Sequence, residues 1–323
     1  MTVIVATLLS IAACGQAAQR GPAAANGQPV PIQATATGTP APATVTTFAV
    51  IGDYGTDDTH ENAVARLVKS WHPAFILAVG DDYYKVAKGS GTGKYDNSTG
   101  AHYGAWLKDI TTTGKRFPVG TAAVNAFFPA LGNHDYSDAT PALKTYLTYF
   151  KLPGTGFTNS SGNERYYDFV DGPVHFFVLN SNPGEPDGTS KTSKQALWLK
   201  AALAASTSPW NVVYDHHPPY SSESQHHSST FMRWPIAAWG ADVMISGHAH
   251  DYERVLRNGI VYFVNGLGGA PRYKFATPIS GSKVRYRANW GAQRAIATSS
   301  TLEFKFYSVS GHLVDTYRLT ADE

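Results

Sequence analysis

Six times in this 323-residue chain a short apolar run stops at a cluster of polar residues rich in glycine, aspartate, asparagine and histidine. The runs are Thr46 to Ile51, Ala74 to Val79, Phe127 to Leu131, Val174 to Leu179, Val212 to Tyr214 and Asp242 to Ser246. Each has the length and composition of a buried strand. Helical patterns lie between them, at Thr59 to Trp71, Ala139 to Phe150 and Lys191 to Ser206. The last places Ala196, Leu199, Ala202 and Leu203 on one face. Strand-helix alternation predicts an α/β fold with mostly parallel central strands. A further helix is expected over 228–240. After it, Ile260 to Val264, Thr301 to Ser308 and Leu313 to Arg318 read as antiparallel strands. Residues 85–104 and 265–295 are Gly-rich and polar and read as long loops, of the kind that is functional or mobile.

The polar clusters sit at the carboxyl ends of the expected strands, the edge where α/β folds build their sites. Five are Gly52-Asp53-Tyr54-Gly55, Gly80-Asp81-Asp82-Tyr83-Tyr84, Gly132-Asn133-His134-Asp135, Asp215-His216-His217-Pro218 and Gly247-His248-Ala249-His250, and the sixth, after the Val174 run, is Asn180-Ser181-Asn182. In extended chain, residues i and i+2 point the same way, so His248 and His250 can face one point. Alone, that pair is equally well explained as packing. Together, Asp53, Asp81, Tyr84, Asn133, His216, His248 and His250 supply carboxylate, phenolate, amide and imidazole donors. That mixture suits hard or borderline cations such as Fe, Mn or Zn. Seven donors are too many for one such ion and fit two, with one carboxylate shared.

These five blocks, in this order over about 200 residues, resemble the calcineurin-like metallophosphoesterase superfamily, and within it the purple acid phosphatases, the tartrate-resistant type. Tyr84 carries the finer resemblance, because most metallophosphoesterases lack a tyrosine ligand there. The resemblance implies a four-layer α/β/β/α sandwich of two mixed sheets flanked by helices. It implies that Asp53, Tyr84 and His250 hold a first metal, Fe(III) in the family. Asn133, His216 and His248 would hold a second, Fe, Zn or Mn, and Asp81 would bridge both. His134 would face the substrate as proton donor to the leaving group, with His226 a second substrate-side histidine. Two cations would activate a water and neutralise the phosphoryl oxygens, and a histidine near its working pKa suits protonation of an alkoxide. His217 is expected to pack rather than to ligate. Asp82 and Tyr83 are expected to shape the turn. Tyr252-Glu253-Arg254 is either an extension of the fifth block or a structural ion pair. The aromatic residues of 265–295 and His60, His72, His102, His175 and His312 are expected at the surface or in the core.

Composition narrows the partners. Hydrophobic residues make up 43% and charged residues 15%, as in a globular protein, and a net charge of +2 argues against a nucleic-acid partner. Val3 to Ala13 is an apolar run of signal-peptide length that ends at Cys14, the chain's one cysteine. Ile11-Ala12-Ala13-Cys14 resembles a bacterial lipobox, although no Lys or Arg precedes the apolar run. Residues 1–14 are therefore read as a signal peptide, either of the lipoprotein type with Cys14 as a lipid anchor to a membrane or an ordinary cleaved one. Residues 15–45, rich in Ala, Pro, Gly and Thr, read as a disordered linker. Residues 46–320 read as one catalytic domain. The expected function is hydrolysis of small-molecule phosphate monoesters outside the cytoplasm by a monomer. A phosphodiesterase or nucleotide-hydrolysing enzyme on the same fold is the nearer alternative. A non-catalytic surface-binding protein is the remote one, and it would be marked by a lost ligand; none is lost.

Overall fold

The structure, a computed structural model, describes residues 45–87, 89–108, 110–111, 121–136 and 143–321. The expected signal peptide and, but for Val45, the expected linker lie outside the described residues, as do residues 88, 109, 112–120 and 137–142, which include the start of the helix expected over Ala139 to Phe150.

Among the described residues the strands form two mixed sheets. The first runs β13 (Leu313–Thr320), β12 (Thr301–Ser308), β11 (Gly291–Ala297), β1 (Thr46–Ile51), β2 (Phe75–Ala78), β3 (Phe127–Pro129). The second runs β10 (Ser282–Tyr286), β8 (Tyr252–Arg257), β9 (Ile260–Asn265), β7 (Val243–Ser246), β6 (Trp210–Tyr214), β5 (Val174–Val178), β4 (Tyr167–Asp171). β1, β2 and β3 are parallel neighbours, and so are β5, β6, β7 and β9. Phenylalanines join the sheets. Phe48 meets Phe176 edge-on at 5.2 Å, Phe75 meets Phe176 at 5.4 Å, and Phe263 meets Phe304 at 5.0 Å. Such pairs favour edge contact because a ring's rim is positive and its face negative.

Helices cover the outer faces. The Thr59–Ser70 helix begins where the Asp58 side chain accepts from the His60 and Glu61 amides, donors the first turn would leave unmet. It buries Val64, Ala65 and Val68. The Lys194–Ala205 helix is capped by Ser193 and buries Ala196, Leu199 and Leu203 against Phe177, Val213 and Met244. Helix, sheet, sheet and helix make the four layers that the resemblance implies.

Three expectations need correction. Residues 228–240 are not one helix but a 3₁₀ turn, Thr230–Met232, and a short helix, Ile236–Trp239. Pro235 divides them: it has no amide hydrogen to give and holds the residue before it out of helical geometry. Residues 265–295 are not all loop, since β10 and most of β11 lie there. β10 is an edge strand that alternates charge with Val284 and Tyr286, so no apolar run announces it; β11 is built largely of small residues. Residues 85–104 hold short helical turns between Gly93 and Trp106.

Candidate metal centre

The parallel strands deliver the site. Just past the ends of β1, β2 and β7 the backbone turns sharply, and Asp53, Asp81 and His248 take left-handed φ of 54°, 56° and 66°. Non-glycine residues pay for that conformation and tend to hold it at functional sites. The chain must also come close to the side chains it carries. A Cβ on Gly247 would lie 2.7 Å from Asp53 Oδ2, and one on Gly80 (φ 91°) would lie 2.6 Å from His216 Nδ1. Only glycine leaves those approaches open.

The seven expected ligands converge. The Tyr84 hydroxyl lies 3.0 Å from Asp81 Oδ2, 3.2 Å from His250 Nε2 and 3.3 Å from Asp53 Oδ1. His216 Nε2 lies 3.0 Å from Asn133 Oδ1, 3.2 Å from His248 Nδ1 and 3.4 Å from Asp81 Oδ1. Asp81 thus faces both sets, one carboxylate oxygen toward each. Asp53, Asp81 and His250 offer donor atoms within 4.8 Å of one another, and so do His216, His217 and His248.

Hydrogen bonds behind the site set which nitrogen faces it. His250 Nδ1 donates to the Pro271 carbonyl at 2.6 Å and His216 Nδ1 to the Val79 carbonyl at 2.9 Å, so each presents a bare Nε2 inward. The His248 amide donates to Asp53 at 2.8 Å and the His134 amide to Asp81 Oδ1 at 2.9 Å. Asp135 receives the Gly132 amide at 2.8 Å and the Tyr95 hydroxyl at 3.1 Å, which fixes the loop carrying Asn133 and His134. Donor atoms of Asn133, His216 and Asp81 then crowd one point, the first and last lying 3.0 and 3.4 Å from His216 Nε2. A cation resolves that crowding, and the donor set fits one in each half.

The electrostatics point the same way. Burial, and next the Asp53 charge, push Asp81 up to about 7. Burial and then the Asp81 and Asp53 charges push the Tyr84 hydroxyl well above its ordinary range. Burial and the surrounding imidazoles hold His248 far down. Burial pulls His250 down, but its hydrogen bond and charge contact with Asp53 more than offset that and raise it. The site concentrates negative charge and lone pairs away from water, and positive charge is what it lacks.

Three histidines stand around this core. His134, about a third exposed, lays its ring 4.2 Å from Tyr84, with Nε2 3.9 Å from Asp81 Oδ2. The His226 ring lies 4.1 Å from His248. His217 is close by distance, but its Nδ1 is engaged by Ser181 Oγ at 2.8 Å and its ring packs at 4.4 Å from His248. Burial and its neighbouring imidazoles hold His217 down to about 2, hence neutral. Arg254 and Tyr252 bond to Asp315 at 2.7 and 2.8 Å, away from the site, so the extension of the fifth block is a structural ion pair. Two contributors were not among the expected site residues, although Ser181 lies in the Asn180-Ser181-Asn182 cluster. Tyr273, expected only to pack, stacks on His250 at 4.3 Å with 11° between the rings. Ser181 reaches His217 from the end of β5. Asp135 could have been found, because an aspartate three residues after Gly132 is placed to accept its amide.

Among known proteins, the calcineurin-like phosphoesterase family model matches residues 46–252. Purple acid phosphatase 15 of Arabidopsis thaliana is 28% identical over 253 residues, which is 68% of this chain and 44% of that protein. Phosphoenolpyruvate phosphatase of Allium cepa is 26% identical over 231 residues, 67% of this chain and 43% of that protein. The chain spans about half the length of these curated relatives. Two solved structures share the fold. Purple acid phosphatase PPD1 from yellow lupin seeds has a TM-score of 0.64 at 17% identity, covering 87% of this chain and 54% of that one. GAP50, the anchor in the inner membrane complex of Plasmodium, has a TM-score of 0.63 at 19% identity, covering 86% and 90%.

Proposed function

The chain belongs to the calcineurin-like phosphoesterase family, and from that premise we propose that it is a purple acid phosphatase-type hydrolase of phosphate monoesters. One observation carries the finer reading: the Tyr84 hydroxyl sits among Asp53, Asp81 and His250, 3.0 to 3.3 Å from each. Asp53, Tyr84 and His250 would hold the first metal, Fe(III), and Asn133, His216 and His248 the second, Fe, Zn or Mn, with Asp81 between them. Such a pair supplies charge neutralisation for the phosphoryl oxygens and an acidified water.

The chain's own residues do the rest. The His248 and His134 amides fix the carboxylates of Asp53 and Asp81, so neither reorients when phosphate enters. Tyr84 would have to give up its hydroxyl proton to serve as a ligand, which would couple metal binding to proton release. His134 Nε2, at the open side of Asp81, holds a proton for the leaving alkoxide. His226, above His248, faces the same mouth and hydrogen-bonds the phosphate. The expected domain division supports a location outside the cytoplasm, because an apolar segment and a linker whose one charged residue is Arg20 precede the folded part.

Comparing 4-nitrophenyl phosphate with bis(4-nitrophenyl) phosphate tests this. The leaving group is the same, so the ratio of kcat/KM reports the site's preference for a dianionic phosphate. A preference of roughly tenfold or more for the monoester supports the reading; the reverse makes the protein a diesterase, and no turnover of either with metals bound favours a binding role.

A further inference from the structure

Between Glu253 and Glu303 the chain contains no Asp or Glu. Five of the cations there, Arg272, Lys274, Lys283, Arg285 and Arg287, make no ion pair among the described residues. In a chain of net charge +2 that is a local concentration of positive charge, and three of the five line one cleft. The cleft measures about 690 Å³ and is walled by Pro271, Arg272, Phe275, Arg285, Arg287 and Trp290. That volume suits a small molecule.

The cleft and the metal centre share a wall. The Pro271 carbonyl holds His250 at 2.6 Å, and Tyr273 stacks on the same ring. Ala270 donates its amide to the Asp53 carbonyl at 2.9 Å and accepts from Trp290 Nε1 at 2.9 Å. Pro271 therefore belongs to both: its carbonyl holds His250 and it lines the cleft.

Two of the cleft's three aromatic residues, Trp290 and Phe275, already carry a stacked group. The Arg272 guanidinium lies over Trp290 at 4.2 Å, and His60 stacks on Trp290 at 3.5 Å. Arg285 lies over Phe275 at 5.1 Å. Arg272 Nη1 is also tied to the Arg287 and Ala288 carbonyls, and Arg285 Nη1 to the Ala276 carbonyl at 3.2 Å. Tyr286, the third aromatic residue of the lining, packs at 6.1 Å from Phe306. What the cleft offers is guanidinium N–H groups held in place by stacking and backbone bonds, the arrangement suited to phosphate.

We propose that this cleft is a subsite for a second phosphate group, so that the favoured substrates are small organic bisphosphates whose scissile phosphate lies at the metal centre. The proposal rests on the monoesterase reading above and names its substrate class. The second phosphate is held alike in the ground state and the transition state, and such uniform binding acts on KM with kcat unchanged.

The test compares glucose 6-phosphate with glucose 1,6-bisphosphate on the metal-loaded protein, with an Arg285→Gln/Arg287→Gln double variant beside the wild type. Both arginines are exposed, so the double variant keeps its fold, which its melting temperature checks. The expected result is a KM at least about tenfold lower for the bisphosphate in the wild type, the scale of one charge-assisted hydrogen bond. The double variant should erase that advantage and leave kcat and the monophosphate kinetics unchanged. Equal KM values in the wild type, or equal losses on both substrates in the variant, overturn the proposal. Calorimetric titration with glucose 1,6-bisphosphate separates the two readings. Arginine-dependent binding without turnover keeps the subsite and removes the monoesterase reading; turnover of both esters without arginine dependence does the opposite.

Discussion

The two halves of the centre are built from different chemistry. Asp53, Tyr84 and His250 offer two oxygens that can be anionic and one imidazole. Asn133, His216 and His248 offer three neutral donors. Asp81 adds its carboxylate to both. The first half therefore neutralises more charge and suits a harder, more highly charged ion; the second suits a divalent one. The backbone supports them differently too. The anionic half leans on the 270–273 segment, through Pro271 and Tyr273, whereas His216 is held by the Val79 carbonyl at the end of β2. A two-metal site of this kind needs no symmetric protein frame, only one shared carboxylate between unlike donor sets.

That comparison can be broken in graded steps. Asp81→Asn takes the shared donor from both halves, so metal content should fall in both and activity should drop to background. Retention of both ions would place the bridge elsewhere. Tyr84→Phe strikes the anionic half alone. It should remove any visible absorption and one ion's hold while the other ion remains, and the melting temperature of the metal-free protein should barely change because Phe keeps the ring. Loss of the second ion along with the first would mean that the halves are not separable. His134→Asn should leave both ions in place and lower kcat by roughly 10² to 10⁴. The loss should be smaller for nitrophenyl than for alkyl esters, whose leaving group needs the proton; equal losses would make His134 a phosphate contact instead. Tyr273→Ala should have the smallest effect. An aromatic pair contributes about 0.5–1.5 kcal/mol, so first-site affinity should weaken by roughly twofold to tenfold, with the second site untouched.

Acidity sharpens the same contrast. Without metal, Asp81 and Asp135 both titrate at about 7 instead of the ordinary 3.8, chiefly through burial. Between those values the folded chain holds more protons than the unfolded one on these two groups, and on Glu61, Asp82, Asp215 and Asp251, which burial also raises. These carboxylates outnumber the five histidines that burial holds down and that pull the other way, so stability falls as pH rises. The metal-free protein should lose melting temperature between pH 4 and 7, and metal should flatten or reverse that slope, because the ions then meet the charge. A flat profile without metal would show that these carboxylates are better solvated than their burial suggests.

The centre was legible in the sequence because each donor lies within a few residues of a strand end, and an apolar run followed by glycine and a donor is a local pattern. The rest depended on contacts between distant segments. Tyr273 is far in sequence from Asp53, and nothing near it announces a stack on His250. β10 hid because an edge strand carrying Lys283 and Arg285 lacks the apolar run of a buried strand. The break in 228–240 was in plain view, since Pro235 sits inside the expected helix, but the apolar residues on either side suggested continuity. The basic cleft was visible only as an absence of Asp and Glu; its meaning came from the turn that places Arg272, Arg285 and Arg287 beside Pro271.

The central claim is a centre of two unlike metal ions with Tyr84 on one of them. Metal analysis of the purified protein, with its visible spectrum recorded beside that of Tyr84→Phe, tests it most directly. The account predicts two ions per chain, at least one of them iron, and a visible band that vanishes in the variant, since a phenolate donates charge to Fe(III) and the other donors do not. A fully active, colourless protein holding only zinc or manganese would contradict it.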